Sequence, residues 1–258
     1  MLRSVFHRLF GPLAARFGYF RPGTSKRSEA AGAFEQKNSL LMSFYAAIKH
    51  SGWTPKHIMD VGANRGTWAQ VARKAFPGAL ITMLEPQSWL TPSPRELVEK
   101  DANMRYFPVG AGRVAGSFLF TMAERDDSST FRLSTEEAKA RGLEQREIRV
   151  VALDGLLRQE ALPVPDVVKI DAEGLDLEVL EGASDLFGRT EVFMVEAGIV
   201  NKVFPNSVSR MITYMESKGY VLFDITDLNR PWKVPVLWLV ELVFVKRDGV
   251  LDAKNWRD

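Results

Sequence analysis

The chain has 258 residues, 46% of them hydrophobic, and no cysteine; it can bury one large core, while disulfides, thiolate metal sites and a cysteine nucleophile are excluded. Its net charge of +2 conceals an asymmetry, because residues 1–27 hold Arg3, Arg8, Arg16, Arg21, Lys26 and Arg27 and no acid, leaving 28 basic against 32 acidic residues in the remainder. That mildly acidic body argues against a broad nucleic-acid-binding surface, since duplex affinity comes largely from clustered Lys and Arg.

In residues 1–20, Leu2, Phe6, Leu9, Leu13, Phe17 and Phe20 recur at helical spacing with arginines between them. The pattern fits a helix making peripheral contact with a membrane or a partner. It fits equally a helix packed on the domain or in a homodimer contact, or an unstructured end. Pro12 would disturb such a helix in any case. No run of ~18 apolar residues is present to span a bilayer, and the arginines interrupt any secretory signal core. The expected location is therefore cytoplasmic, with peripheral contact at the inner membrane surface left open. Residues 21–28 read as a linker punctuated by Pro22 and Gly23, which sets the expected boundaries at 1–29 for a basic extension and 30–258 for the main domain. Residues 30–51 look helical, with Phe34, Leu41, Phe44 and Ile48 on one face.

From His57 onward, short apolar runs alternate with helical stretches, the pattern of βαβ units and a mainly parallel sheet. Strands are expected at 58–61, 80–84, 104–109, 167–170, 192–195, 221–225 and 239–245. Residues 117–122 and 147–153 alternate like an added antiparallel or edge pair.

The first strand runs into Asp60-Val61-Gly62-Ala63-Asn64-Arg65-Gly66, ahead of a helix that includes Trp68, Val71 and Ala72. Glycines there let a ligand approach the backbone and the positive end of the helix. A nicotinamide-binding turn would read Gly-x-Gly-x-x-Gly; this one reads Gly-x-x-x-Gly with an acid two residues ahead, which disfavours a dinucleotide oxidoreductase. It suits a ligand without a pyrophosphate, such as S-adenosylmethionine with its ammonium and sulfonium. The second strand ends on Glu85, 25 residues after Asp60, where a carboxylate can accept from both ribose hydroxyls. Pro86 and Gln87 would flank the adenine, and the loop at Gly110 and Ala111 would lie near its edge. Each of these features alone serves a plain tight turn as well.

The most distinctive stretch is "VVKIDAEGLDLEVLEGA", residues 167–183. A buried strand delivers Asp171 and Glu173 to its carboxyl end, where ligands bind in open α/β sheets, and the next strand ends on Glu196. His7, His50 and His57 all precede the glycine turn, so a carboxylate is the better candidate for a proton acceptor, in the order Asp171, Glu173, Glu196. In the alternative, Asp171 only hydrogen-bonds the cofactor's ammonium and Glu173 caps the following helix. Three acids could ligate a divalent cation through oxygen, but Lys169 and the cofactor's own charge balance them, and no metal is expected.

Together "DVGANRG", "VVKIDAEGLDLEVLEGA" and "MVEAG" resemble the FkbM family of methyltransferases over residues 56–226. The resemblance implies a Rossmann-like class I methyltransferase fold, a seven-stranded, mainly parallel sheet with helices on both faces. It implies S-adenosylmethionine as cofactor, S-adenosylhomocysteine as product, and O-methylation of a hydroxyl on a sugar or natural-product acceptor. It also implies that Asp60, Gly62 and Asn64 line the methionine end, that Glu85 meets the ribose, and that Asp171 lies near the transferred methyl; Ala63 and Thr67, on the same turn, are counted with the cofactor site. Ser128-Ser129-Thr130 resembles a serine-rich loop of this family. Phe118, Phe120, Phe131, Trp232 and Trp238 either stack on a sugar ring or belong to the core. The competing reading is a catalytically inactive protein of the same fold that binds a membrane surface or nucleic acid through its basic N-terminus.

Overall fold

The computed structural model describes residues 38–123, 129, 131, 133–200, 206–230, 236–253 and 256. The amphipathic segment and linker expected before residue 30, together with Phe34, Ser128, Thr130 and Trp232, lie outside the described residues. Helix α1 (Ser39–His50) precedes strand β1 (His57–Val61), α2 (Thr67–Ala75), β2 (Leu80–Leu84), α3 (Pro94–Lys100) and β3 (Met104–Phe107). A short excursion follows through β4 (Gly110–Ala111), β5 (Gly116–Thr121), α4 (Thr135–Ala140) and β6 (Gln145–Val151). The chain then runs through α5 (Leu153–Gln159), β7 (Val167–Ile170), α6 (Asp176–Glu181), β8 (Val192–Gly198), α7 (Val208–Ser217), β9 (Tyr220–Asn229) and β10 (Leu239–Lys246).

The main sheet has the order β3-β2-β1-β7-β8-β10-β9, and only β10 runs antiparallel to its neighbours. Strands β1 and β7 are buried at every position, as expected where helices cover both faces of a parallel sheet. The two-residue side-chain period then splits the apolar residues into two layers. Met59, Val168, Ile170 and Phe193 pack with Leu180, Met211 and Met215 of α6 and α7. Ile58, Val167, Met194 and Val243 pack on the other face with Phe44, Tyr45 and Val71 of α1 and α2. Between β1 and β7 the strand order reverses, so the crevice at their carboxyl ends is where a ligand finds room. No helix among the described residues is long and apolar enough to cross a membrane.

Four expected boundaries are corrected, one of them at the sheet edge, where the strand expected at 221–225 runs from Tyr220 to Asn229 because β10 pairs with it along that length. The strand expected at 104–109 stops at Phe107, because Pro108 has no N–H for the ladder and the Val109 amide folds back to the Phe107 carbonyl at 2.9 Å. Gly110 and Ala111 instead pair with Val150 and Val151, so the added element is a three-stranded sheet of order β4-β6-β5, within which β5 and β6 form the expected antiparallel pair. The strand expected at 147–153 ends at Val151, and Leu153 opens α5. The strand expected at 192–195 continues to Gly198 because β10 pairs with it throughout; Glu196 therefore lies within β8, opposite Glu241, and does not end the strand.

The small sheet is fastened to α6 at a point with no spare volume. A Cβ on Gly182 would lie 2.1 Å from the Gly112 carbonyl oxygen, and the Gly182 carbonyl accepts from the Asp154 amide at 3.1 Å. Gly182→Ala is expected to destabilise the protein by ~1–3 kcal/mol, because backbone must move to admit the methyl group. Urea denaturation measures this, and a change below ~0.5 kcal/mol would contradict the fastening.

Candidate active site

Three of the five residues from Gly62 to Gly66 have left-handed backbone: Gly62 (φ 77), Asn64 (φ 48) and Gly66 (φ 72). Gly62 is required on two grounds, its dihedral and its contact, since a Cβ there would sit 1.9 Å from the Asp171 carbonyl oxygen. The amides of Gly62 and Ala63 both donate to the Leu84 carbonyl, at 2.9 and 3.0 Å, which ties the β1–α2 turn to the end of β2. Asp60 lies beneath this turn and is fully buried. No hydrogen bond of ordinary geometry reaches either of its carboxylate oxygens, and Lys169 Nζ stands 3.6 Å away. Burial raises its pKa, opposed chiefly by the Lys169 charge.

Glu85, just past the end of β2, is 4% exposed. Its Oε2 accepts from the Asn64 amide at 2.7 Å and its Oε1 from the Gln87 amide at 2.8 Å. The left-handed dihedral of Asn64 aims that amide, and asparagine tolerates this region better than most residues. Burial raises the Glu85 pKa, and these two amides are the main opposing influences.

The β7–α6 turn carries Asp171, Ala172, Glu173 and Gly174, with Glu173 (φ 51) and Gly174 (φ 90) both left-handed. Non-glycine residues held in this region concentrate at functional sites. The turn is braced by Asp176, whose Oδ1 accepts from the Ala172 amide at 3.0 Å, and by Asn206, whose Nδ2 donates to the Gly174 carbonyl at 2.6 Å. Glu173 is not the cap of α6: the capping position belongs to Leu175 and has no side-chain hydrogen bond. Burial, then the charge of Asp171, pushes Asp176 up to about 7 despite the bracing amide.

One pocket joins these turns. Gly62, Asn64, Glu85, Pro86, Gln87, Gly110, Ala111, Asp171 and Glu173 line it, together with Val61, Leu84, Val109, Phe120, Ser129, Phe131 and Ala172. Asp60, Ala63 and Thr67 do not line it: Asp60 and Ala63 are buried behind the turn and Thr67 faces outward at the start of α2. Phe120 and Phe131 form one wall, with ring centroids 4.7 Å apart, whereas Phe118 is exposed and Trp238 half-buried. Ser129 is buried and its hydroxyl accepts from the Ala123 amide at 3.1 Å. Ser129 and Phe131 come to Gly110 from about twenty residues away across the small sheet; the serine-rich run is the sequence signal for Ser129, and Phe131 is one of the aromatics set between sugar stacking and the core. Asp176 and Asn206 had none.

Glu196 also lies off the pocket lining. Burial, followed by the charges of Asp171, Asp176 and Glu173, pushes it up to about 10, so it carries its own proton at neutral pH. Glu241, its cross-strand partner, is pushed up to about 7, again chiefly by burial. Among the described residues no group of three or more His, Asp or Glu has the arrangement of a metal site.

The methyltransferase FkbM domain model matches residues 60–222. Hexuronic acid methyltransferase AglP of Haloferax volcanii is 28% identical over 174 residues, which is 67% of this chain and 66% of that relative, so the chain spans just under two thirds of the relative's length. Among solved structures, StiE O-MT superposes with a TM-score of 0.50 at 12% identity, covering 90% of this chain and 81% of that one. Methyltransferase FkbM from Methylobacillus flagellatus KT gives a TM-score of 0.49 at 15% identity over 72% of this chain and 43% of that chain. The fold is that of the class I methyltransferases.

The raised carboxyl groups have a consequence for stability. The folded protein holds these protons more tightly than the unfolded chain, so the stability they contribute is complete below about pH 4. It is lost as pH rises, through about 7 for Asp176 and Glu241 and through about 10 for Glu196. The melting temperature should therefore fall from about pH 4 upward, with Glu196 alone carrying the part between about pH 7 and 10, and Glu196→Gln should recover at least ~2 °C of that upper part in calorimetry. An unchanged fall in the variant would contradict the assignment.

Proposed function

The chain belongs to the methyltransferase FkbM family, and from that premise we propose that it transfers a methyl group from S-adenosylmethionine to a hydroxyl of a sugar or natural-product acceptor. The observation that carries this reading is a pocket lined by carboxylates from two strand ends, Glu85 after β2 and Asp171 after β7. The cofactor is donor-rich at both ends, with ribose hydroxyls on one side and an ammonium on the other. Glu85 is held by the Asn64 and Gln87 amides, one on each oxygen, and as a carboxylate with about four lone-pair sites it can accept from a ribose hydroxyl as well. Gly62 lets the β7–α6 turn close against the β1–α2 turn, Gly110 lets the Phe131 ring close over β4, and Leu84, Val109 and Phe131 offer an apolar wall for the adenine. The residues fit the group.

In this reading Glu85 binds the ribose, and Pro86, Gln87, Gly110 and Ala111 border the adenine. Gly62, Asn64 and Asp171 receive the methionine end, while Asp60, Ala63 and Thr67 act by shaping the turn. When bound, S-adenosylmethionine supplies an electrophilic methyl group on a sulfonium, open to in-line attack by the acceptor oxygen. The protein's own tasks are to orient that oxygen and to take its proton. Asp171 has one oxygen committed to Lys169, at 3.1 Å, and Glu196 is already protonated. Glu173, carried into the pocket by its left-handed backbone, is the carboxylate that accepts the acceptor's proton. The name of the archaeal relative supports a uronic acid or a similar sugar among the acceptors. The six basic residues within 1–27 support, on charge alone, peripheral contact with an anionic membrane surface.

Titration calorimetry with S-adenosylhomocysteine tests the cofactor assignment. The chain should bind it, and Glu85→Ala should weaken binding by roughly tenfold or more, because hydrogen bonds to a charged group are worth about 1.5–3 kcal/mol. Absence of binding, or binding indifferent to Glu85→Ala, would contradict the assignment. Glu173→Gln should keep that affinity and lose roughly 100-fold in turnover on a responsive sugar acceptor, within the usual range for general base catalysis; undiminished turnover would remove Glu173 from the mechanism.

A further inference from the structure

Lys169 is a lysine in the interior of a strand whose other members are Val167, Val168 and Ile170. Its side chain is 6% exposed. Burying an ammonium costs several kcal/mol unless it is paired, and an aliphatic residue would fill this position more cheaply. The three donors of the ammonium face three oxygens: Asp171 Oδ2 at 3.1 Å, the Gly62 carbonyl at 3.5 Å and Asp60 Oδ1 at 3.6 Å. One of these partners, Gly62, belongs to the β1–α2 turn, Asp171 belongs to the β7–α6 turn, and Asp60 lies in β1 just beneath the first turn. Asp60 and Lys169 are paired across β1 and β7, so the lysine spans the place where strand order reverses. Asp171, unlike Asp60, keeps 36% of its side chain exposed and lines the pocket, so the charge of Lys169 acts directly on a ligand-facing carboxylate. Glu241 approaches on the same face, its Oε1 accepting from the Thr226 hydroxyl at 2.5 Å.

We propose that Lys169 is the positioning residue of this site: from beneath the pocket it fixes the Asp171 carboxylate against the Gly62 turn, and it governs binding at the methionine end of the cofactor without touching the cofactor. The proposal rests on the cofactor reading given above. It separates Lys169 from a residue that merely supports the fold, because its effect belongs to one end of the ligand. Adenosine carries the ribose and adenine but no methionine end, and S-adenosylhomocysteine carries both.

The test compares the binding of these two compounds to the full chain and to Lys169→Met, which keeps the length of the side chain and removes its charge. Lys169→Met/Asp60→Asn, set against Asp60→Asn alone, serves if the single variant does not fold. S-adenosylhomocysteine should bind roughly tenfold more weakly or worse, as expected when a charged partner is lost, while adenosine binding stays unchanged and Lys169→Arg recovers part of the loss. Parallel weakening of both compounds, or weakening of neither, would overturn the proposal. Backbone hydrogen exchange supplies a readout that needs no ligand. Removing the lysine should speed exchange in residues 60–66 and 171–176 and leave β2 and β10 as they were, and unchanged exchange in both turns would overturn the proposal even for a chain that binds neither compound. Absence of binding by the unaltered chain would count against the cofactor reading alone.

Discussion

The site depends on one steric constraint: the β1–α2 turn and the β7–α6 turn meet with no room for a side chain between them. A Cβ on Gly62 would fall 1.9 Å from the Asp171 carbonyl oxygen, far inside van der Waals contact. That approach exists because the sheet order sets β1 directly beside β7, although more than a hundred residues separate them in the chain. Once the turns are in contact, the remaining geometry follows locally. The amides of Gly62 and Ala63 point to the end of β2, the Asn64 amide points to Glu85, and Asp171 opens towards the same crevice.

The cost of this arrangement is electrostatic. Asp60, Asp171, Glu196 and Glu241 crowd one end of the sheet, and Lys169 is the ammonium placed among them. Burial is the first influence on Asp60, Glu85, Asp176, Glu196 and Glu241, and in each it favours the neutral form. Burial favours the neutral form of Lys169 too, yet the carboxylates of Asp171, Asp60 and Glu241 outweigh it and keep the ammonium charged. The protein therefore divides its acids. Glu85, with two amides in contact, can remain ionised in the proposed mechanism, whereas burial and the neighbouring acids favour the protonated form of Glu196. A core of aliphatic residues would be more stable; the ionisable groups are retained at the one place where the fold offers a ligand crevice.

Much of this was legible in the sequence, for identifiable reasons. Short, mostly apolar runs mark β1, β2 and β7 because strands covered on both faces contain few polar residues. Glu85 was legible because a residue at the end of the second strand must stand beside the first turn in a doubly wound sheet. Long-range pairing was not legible. Nothing near Gly110 signals that it joins Val150 in a separate sheet, although Pro108 does signal that β3 stops. Glu196 looked terminal because its apolar run ends there, whereas the pairing with β10 carries the strand on to Gly198. Phe131 reads as a core residue until the small sheet brings it to Gly110, where a Cβ would come within 2.8 Å of its ring. Asp176 looked like one more acid on a helix, and its bracing of the Ala172 amide depends on a turn whose shape only the fold supplies.

The central claim is that the crevice between the two turns holds the cofactor with Glu85 at one end and Asp171 at the other. A crystal structure grown with S-adenosylhomocysteine tests it most directly. The account predicts ligand density with the ribose hydroxyls on Glu85, the amino acid end at Gly62 and Asp171, and the sulfur open towards Glu173. Density in the separate cleft lined by Arg113, Asn206 and Arg210, or a ligand whose ribose faces away from Glu85, would contradict it.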